Sequence, residues 1–203
     1  MPDPKVVLDG DDMRRALTRI AHEIAENAGE PEQLALVGIH RRGAVLAARL
    51  HRTLAERDVD VMQLGDLDIA FYRDDVTLRG GAPVVHATHL DFDIDGLTIV
   101  IVDDVLFTGR TVRAAIDALF DYGRPDRVQL AVLADRGHRE LPIRPDYVGK
   151  NLPTARSERV YVRVAEIDGE DSVTIGQPDL RSPDGEALIA TRGRMPRGAD
   201  PSS

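Results

Sequence analysis

Three short, almost uninterrupted apolar runs constrain the fold most: Leu34-Ala35-Leu36-Val37-Gly38-Ile39, Thr98-Ile99-Val100-Ile101-Val102 and Val128-Gln129-Leu130-Ala131-Val132-Leu133. Strands exposed on one face alternate apolar with polar residues, whereas strands covered on both faces, as in parallel sheets, do not. Parallel neighbours need a crossover, and the intervening stretches 44–57 and 110–122 are long enough to be the helices that supply it. The expectation is an α/β fold, a doubly wound and mostly parallel sheet flanked by helices. Ligands of such sheets collect beyond the carboxyl ends of the strands, so the residues after Ile39, Val102 and Leu133 are where chemistry is to be sought.

Residues 10–27 read as an amphipathic helix, with Met13, Leu17, Ile20, Ala21 and Ile24 on one side, Asp11 as N-cap and Gly29 as the stop. Residues 72–90 are polar and contain Gly80-Gly81-Ala82-Pro83, which reads equally as a lid loop or as a plain extended hairpin. Residues 159–175 alternate around Asp168-Gly169, the pattern of a closing hairpin. One domain over residues 1–176 is expected, followed at 177–203 by a disordered tail rich in Pro, Gly, Ser and charge. No internal repeat is present.

Composition excludes several classes. With 42% hydrophobic and 30% charged residues, the chain can hold a core and is too apolar for wholesale disorder. It has no cysteine, which rules out a disulfide framework and thiolate metal sites. Met1-Pro2-Asp3-Pro4-Lys5 does not open a signal peptide, and no run approaches the ~20 apolar residues of a membrane span, so the cytoplasm is expected. A net charge of −9 argues against nonspecific nucleic-acid binding, and any RNA site must be a local basic patch. One such stripe, Arg15, Thr18, Arg19 and His22, lies opposite the apolar side of the first helix. Read from composition alone, it is a solvated face with pairs such as Arg19 with Glu23.

The chemistry-bearing stretch is Val100-Ile101-Val102-Asp103-Asp104-Val105-Leu106-Phe107-Thr108-Gly109-Arg110-Thr111. It runs from a buried strand through two carboxylates and a Thr-Gly turn into a helix start. The turn gathers backbone N–H groups, the Thr108 and Thr111 hydroxyls and the positive end of a helix dipole around one point, which suits a phosphate. Asp103 and Asp104 suit ribose hydroxyls and, through water, a Mg²⁺ carried by pyrophosphate. Neither a Walker loop nor a dinucleotide fingerprint is present. A second turn, Gly38-Ile39-His40-Arg41-Arg42-Gly43, has glycines at both ends and cations between.

These two motifs resemble the phosphoribosyl-pyrophosphate sites of type I phosphoribosyltransferases. Further stretches narrow the resemblance to the uracil phosphoribosyltransferases that also regulate pyrimidine operons. They are Arg14-Arg15-Ala16-Leu17-Thr18-Arg19-Ile20-Ala21-His22-Glu23, Tyr72-Arg73-Asp74-Asp75, Asp135-Arg136-Gly137-His138-Arg139-Glu140-Leu141-Pro142-Ile143-Arg144 and Asp146-Tyr147-Val148-Gly149-Lys150-Asn151-Leu152-Pro153-Thr154. The resemblance runs from about residue 8 to 171.

It implies the type I fold with a flexible hood or lid, Mg²⁺ as cofactor, and conversion of uracil and phosphoribosyl pyrophosphate to UMP and pyrophosphate. It implies that Val105, Leu106, Phe107, Thr108, Gly109, Arg110 and Thr111 bind the 5′-phosphate, that Asp103 and Asp104 serve catalysis, and that Ile39, His40, Arg41, Arg42 and Gly43 take the pyrophosphate. Arg73, in the lid, would close over it. Asp135, Arg136, Tyr147 and Val148 would meet the base, with Tyr147 covering one face of it. Asp135 stands where purine enzymes have a Lys and Phe107 where they have an Asp, which favours a pyrimidine. Arg15, Thr18, Arg19, His22, Arg139, Arg144 and Lys150 would hold a stem-loop of the operon's leader mRNA under control of UMP or UTP. A homo-oligomer, dimer or larger, is implied too. Rival readings are a purine or orotate phosphoribosyltransferase, and an RNA-binding regulator whose pocket only senses nucleotides.

Overall fold

A computed structural model describes residues 4–27, 33–57, 63–70 and 88–177. The chain opens with β1 (Lys5–Leu8), α1 (Gly10–Asn27), β2 (Leu34–Ile39), α2 (Arg42–Ala55) and β3 (Gln63–Leu67). Next come β4 (Thr98–Leu106), α3 (Arg110–Leu119), β5 (Arg127–Asp135) and β6 (Tyr147–Asn151). It closes with β7 (Arg159–Arg163), the single turn α4 (Ala165–Asp168) and β8 (Ser172–Gly176). The main sheet has the order β3-β2-β4-β5-β6 with every pair parallel, and a smaller antiparallel sheet has the order β1-β8-β7.

The apolar runs behave as expected of doubly covered strands. Leu34, Leu36, Val100, Val102, Ala131 and Leu133 face one side, where they join Met13, Leu17, Ile20 and Ile24 of α1 and Leu46, Leu50 and Leu54 of α2. Ala35, Val37, Ile39, Ile99, Ile101, Leu130 and Val132 face the other, with Val112, Ala115 and Leu119 of α3. Full burial of each larger side chain contributes roughly 1.5–3 kcal/mol, which is why the central three strands set the architecture.

The structure corrects three details. The cap of α1 is Asp9 rather than Asp11: Asp12 N–H donates to Asp9 Oδ1 at 2.8 Å and Asp9 N–H to Asp12 Oδ2 at 3.3 Å, a reciprocal capping box. The C-terminal hairpin does form as the β7–β8 pair, but α4 lies between its strands. An additional edge strand, β6, forms without the continuous apolar run that marks the centre, most of its residues being half-exposed or exposed. The predicted stop at Gly29, nearly all of the lid at 72–90 with its Arg73, and the tail beyond Gln177 lie outside the described residues.

Candidate active site at the switch point of the sheet

The strand order reverses between β2 and β4, because β3 lies on the far side of β2 while β5 and β6 follow β4. β2 pairs with β4 only as far as Gly38↔Val102, whereas β4 continues along β5 to Leu106↔Asp135. Asp103 and Asp104 therefore fall on the overhang that β2 has left. A cleft of about 210 Å³ opens there, lined by Ile39, His40, Arg41, Arg42, Ile69, Asp103, Asp104, Val105 and Thr111. The carboxylate pair, the cationic turn and one hydroxyl of the Thr-Gly turn thus share one space, at the position where doubly wound sheets hold ligands.

Each wall has a local cause. Asp103 is buried, and its Oδ1 accepts the Asp104 N–H at 2.9 Å; Asp104 Oδ1 accepts the Val105 N–H at 2.8 Å. Burial pushes the Asp104 carboxyl above the ordinary carboxylate range, with the Arg42 charge opposing it. The β2–α2 turn is pressed against β4, since a Cβ on Gly43 would lie 2.4 Å from the Val102 carbonyl oxygen. Only glycine fits there. The His40–Arg41 peptide is cis, and His40 N–H donates to Leu67 O at 2.9 Å.

On the phosphate side, Gly109 is the N-cap of α3 with φ +92°, a left-handed conformation that glycine adopts without strain. Gly109 offers no capping side chain; Thr108 Oγ1 accepts the Arg110 N–H at 3.4 Å, and the other first-turn N–H groups and the helix dipole face the turn. Thr108 O accepts N–H bonds from Glu140 and Leu141, and Arg110 pairs with Glu140, which ties the turn to the loop after β5.

The end of β5 and that loop hold Asp135 and Arg136, the residues expected to meet the base. The Asp135 carboxylate accepts the Gly137 N–H and is paired with Arg139. Arg136 is buried, with its guanidinium carbon 4.0 Å from the centroid of the Phe107 ring and Nη2 donating to Glu158 O at 2.8 Å. Burial, then the neighbouring Arg159 charge, lowers its pKa. Phe107 also meets His138 edge-on. The sequence reading missed this Phe107–Arg136 stack and the lining residue Ile69, both made by tertiary contact alone.

Tyr147 and Val148 are not brought to the cleft. Asp135 pairs with Asn151, and Tyr147 lies four residues earlier on β6, roughly 13 Å back along the strand. The Tyr147 ring is buried in the core on the α1 side, and its hydroxyl donates to Gln129 Oε1 at 3.2 Å. Val148 gives its carbonyl to Arg19 Nη2 at 2.8 Å. The expectation that these two meet the base is therefore corrected: strand register removes them.

The basic stripe on α1 sits beside β6. Arg15 is exposed and paired with Asp12, Arg19 is paired with Glu23, and Arg19 Nη2 reaches the carbonyls of Val148 and Gly149. The Asp12 carboxyl is held low by its bond from the Asp9 N–H, then by Arg15, with the Lys150 charge adding, so Lys150 belongs to the same face. Thr18 is half-buried, and His22 Nε2 is buried without a hydrogen-bond partner among the described residues. Arg144 and Lys150 are exposed. Arg139 stands apart: Nε donates to Ile143 O at 3.0 Å and Nη1 to Phe107 O at 2.8 Å, inside the loop cluster.

Among the described residues, no three His, Cys, Asp or Glu side chains converge as a metal cage. Asp103 and Asp104 nonetheless fit Mg²⁺, which commonly takes one or two carboxylates and completes its shell with water and substrate phosphate. No helix of the described residues is long and apolar enough to cross a membrane.

A parallel sheet whose switch point joins two acids, a cationic turn and a Thr-Gly helix start defines a phosphoribosyltransferase, and the family model "Phosphoribosyl transferase domain" matches residues 5–165. The bifunctional protein PyrR of Roseiflexus sp. (strain RS-1) is 62% identical over 165 residues, 81% of this chain and 90% of the relative. PyrR of Chloroflexus aurantiacus is 58% identical, covering 86% and 96%, and PyrR of Thermus thermophilus 59%, covering 83% and 93%. The chain belongs to the PyrR family of phosphoribosyltransferases. Among solved structures, a hypoxanthine phosphoribosyltransferase of Staphylococcus aureus superposes with a TM-score of 0.64 at 18% identity, covering 87% of this chain and 94% of that one. That of Trypanosoma cruzi in a ternary substrates complex gives 0.66 at 23%, covering 88% and 97%. At these identities the likeness speaks for the shared fold alone, the type I phosphoribosyltransferase fold expected from the motifs.

Proposed function

We propose that this chain transfers the phosphoribosyl group of phosphoribosyl pyrophosphate to uracil, giving UMP and pyrophosphate, and that it binds pyrimidine-operon leader mRNA in a uridine-nucleotide-dependent way. One observation carries the first half: Asp103 and Asp104 face the His40–Arg42 turn across a single cleft that Thr111 also lines. The family membership carries the second.

In this reading the 5′-phosphate sits on the Thr108–Thr111 turn, held by the N–H groups of α3, and the ribose hydroxyls donate to Asp103 and Asp104. The pyrophosphate rests against the turn 39–43. A uracil nitrogen attacks the anomeric carbon as the bond from that carbon to the pyrophosphate oxygen breaks on the opposite face, with inversion, and the nitrogen's proton passes to an oxygen of the leaving pyrophosphate. The transition state resembles an oxocarbenium ion, so the protein's work is to align the two partners, stabilise charge on the leaving group and exclude water. Mg²⁺ held by Asp103 and Asp104, in part through water, would supply further positive charge to the departing pyrophosphate. Arg42 stands against the leaving group; Arg73, which the family resemblance assigns to the same pyrophosphate, lies outside the described residues. Asp135 and Arg136 border the base.

For RNA, Arg15 and Arg19 on α1 with Lys150 on β6 supply the local cations that an acidic protein needs, with Thr18 and His22 assigned to the same stripe. Exposed Arg144 extends it.

Incubating the protein with labelled phosphoribosyl pyrophosphate, Mg²⁺ and either uracil or hypoxanthine tests the enzymatic half. UMP formed from uracil with no nucleotide from hypoxanthine is expected. Turnover of hypoxanthine alone, or of neither base, would overturn it.

A further inference from the structure

We infer that Asp168, in the turn α4 that no substrate motif contains, is a positioning residue that fixes Arg42 against the leaving pyrophosphate. This rests on the assignment of the turn 39–43 to pyrophosphate. Arg42 is the first residue of α2 and lines the cleft beside Asp103 and Asp104. Its guanidinium is held edge-on by one carboxylate: Nε donates to Asp168 Oδ2 at 3.1 Å and Nη2 to Asp168 Oδ1 at 2.8 Å. Such a fork-to-carboxylate pair fixes both the plane and the direction of an arginine, which a single point contact cannot do.

Asp168 is itself fixed. Its Oδ2 accepts the Val164 N–H at 2.9 Å, and Gly169 in a left-handed conformation ends α4 directly after it. Arg42 has a side-chain exposure of 37% while Asp168 has only 18%, so the acid is the anchored partner and the cation the one facing solvent and ligand. A long, flexible cation left to itself would be spread over many rotamers and would lose entropy on meeting pyrophosphate. One already held in a fixed plane loses less, and that difference appears in ground-state and product binding of the pyrophosphate portion.

A plainer possibility is that the pair only docks α4 onto α2. The molecule contains its own control for that. Two turns further along α2, Arg49 makes forked contacts to Glu166 and Asp171 of the same segment, with distances of 3.0 Å from Nε to Glu166 and 2.8 Å from Nη2 to Asp171. Arg49 does not line the cleft. Breaking that pair loosens the same docking without touching the pyrophosphate side.

The test compares Asp168→Asn, Asp168→Glu and Glu166→Gln in the full-length protein, measuring KM for phosphoribosyl pyrophosphate, KM for uracil, kcat, the inhibition constant of pyrophosphate and the melting midpoint. Asp168→Asn is expected to raise KM for phosphoribosyl pyrophosphate and the pyrophosphate inhibition constant tenfold or more, leaving KM for uracil within about twofold. Asp168→Glu should restore most of this. Glu166→Gln should lower the melting midpoint to a similar degree without moving either constant. Asp168→Ser, which removes the whole carboxylate at smaller volume, must move the same way if the Asn variant folds poorly. Unchanged pyrophosphate constants in Asp168→Asn, or an equal change in Glu166→Gln, overturns the inference. If the wild type forms no UMP, the transfer reading fails by itself, and calorimetric binding of pyrophosphate to wild type and Asp168→Asn still decides the role of Asp168.

Discussion

Arg139 and Asp135 form a part-buried ion pair four residues apart, and the same guanidinium donates to the Phe107 carbonyl at 2.8 Å and the Ile143 carbonyl at 3.0 Å. It therefore fastens the base-side loop to the peptide just before the Thr-Gly turn. A side chain occupied by internal partners on both guanidinium nitrogens and Nε has little to offer an external phosphate, and the role expected for it in RNA contact is set aside in favour of a strut.

Arg139→Gln should accordingly lower uracil transfer tenfold or more, each tenfold being about 1.4 kcal/mol of barrier. It should also destabilise the fold by roughly 1.5–3 kcal/mol, the range for hydrogen bonds to charged groups. The salt dependence of leader-RNA binding should keep its slope, because no phosphate contact is lost; steady-state kinetics, urea unfolding and a salt titration read the three. A slope reduced by about 0.7–0.9 with intact transfer would return Arg139 to the RNA face.

Asp104→Asn separates activity from stability. Burial raises the Asp104 carboxyl pKa, so ionising it costs the folded state free energy. A carboxyl whose folded pKa lies above its unfolded value stabilises the fold below the unfolded value, near 3.9, and loses that contribution as pH rises through the folded one. The Asn variant keeps an oxygen to accept the Val105 N–H and carries no charge. It should be at least as stable as wild type at pH 7, with the advantage shrinking toward pH 4, while UMP formation falls by one to several powers of ten. Urea midpoints across this range check the sign; a variant less stable at pH 7 and unchanged in rate would remove Asp104 from the scheme.

The carboxyls facing α2 behave oppositely. Arg42 holds Asp168 low and Arg49 holds Glu166 low, whereas burial would raise Asp171 but is outweighed by its bonds from Arg49 and the Ala165 N–H. Folded values below unfolded ones give stability that is present above about pH 4 and lost as pH falls. Arg49→Met should thus be less stable than wild type at pH 7, with the gap narrowing as pH falls below about 4. A gap independent of pH would show that the arginine acts through packing instead.

What the sequence made legible follows from where signals are local. The runs around core positions such as Leu36, Ile101 and Leu130 announce doubly covered strands, and Asp103 to Thr111 carries its chemistry within a dozen consecutive residues. The edge strands β3 and β6 had no such run, so the register that takes Tyr147 away from the cleft was invisible. Equally hidden were the partners of Arg42, Arg49 and Arg139. Asp168 is 126 positions from Arg42 in the chain, and nothing in the spacing of either residue marks the pair.

The proposed RNA face permits a graded test because its cations differ in what else they do. Arg19 spans α1 and β6 through the Val148 and Gly149 carbonyls at 2.8 and 2.7 Å, whereas Arg15 is exposed and pairs with Asp12 one turn away on its own helix. Arg15→Gln and Lys150→Gln should each weaken leader-RNA binding and reduce its log–log salt slope by about 0.7–0.9 per lost phosphate contact. Neither should lower the melting midpoint by more than about 4 °C, as exposed pairs contribute at most about 1 kcal/mol. Arg19→Gln should give the same loss of slope together with a small loss of stability, and all three should retain UMP formation. If Arg15→Gln and Lys150→Gln bind RNA with wild-type affinity and slope while Arg19→Gln alone fails, the α1 face is not a phosphate-contacting surface, and the loss in Arg19→Gln arises from the displaced helix.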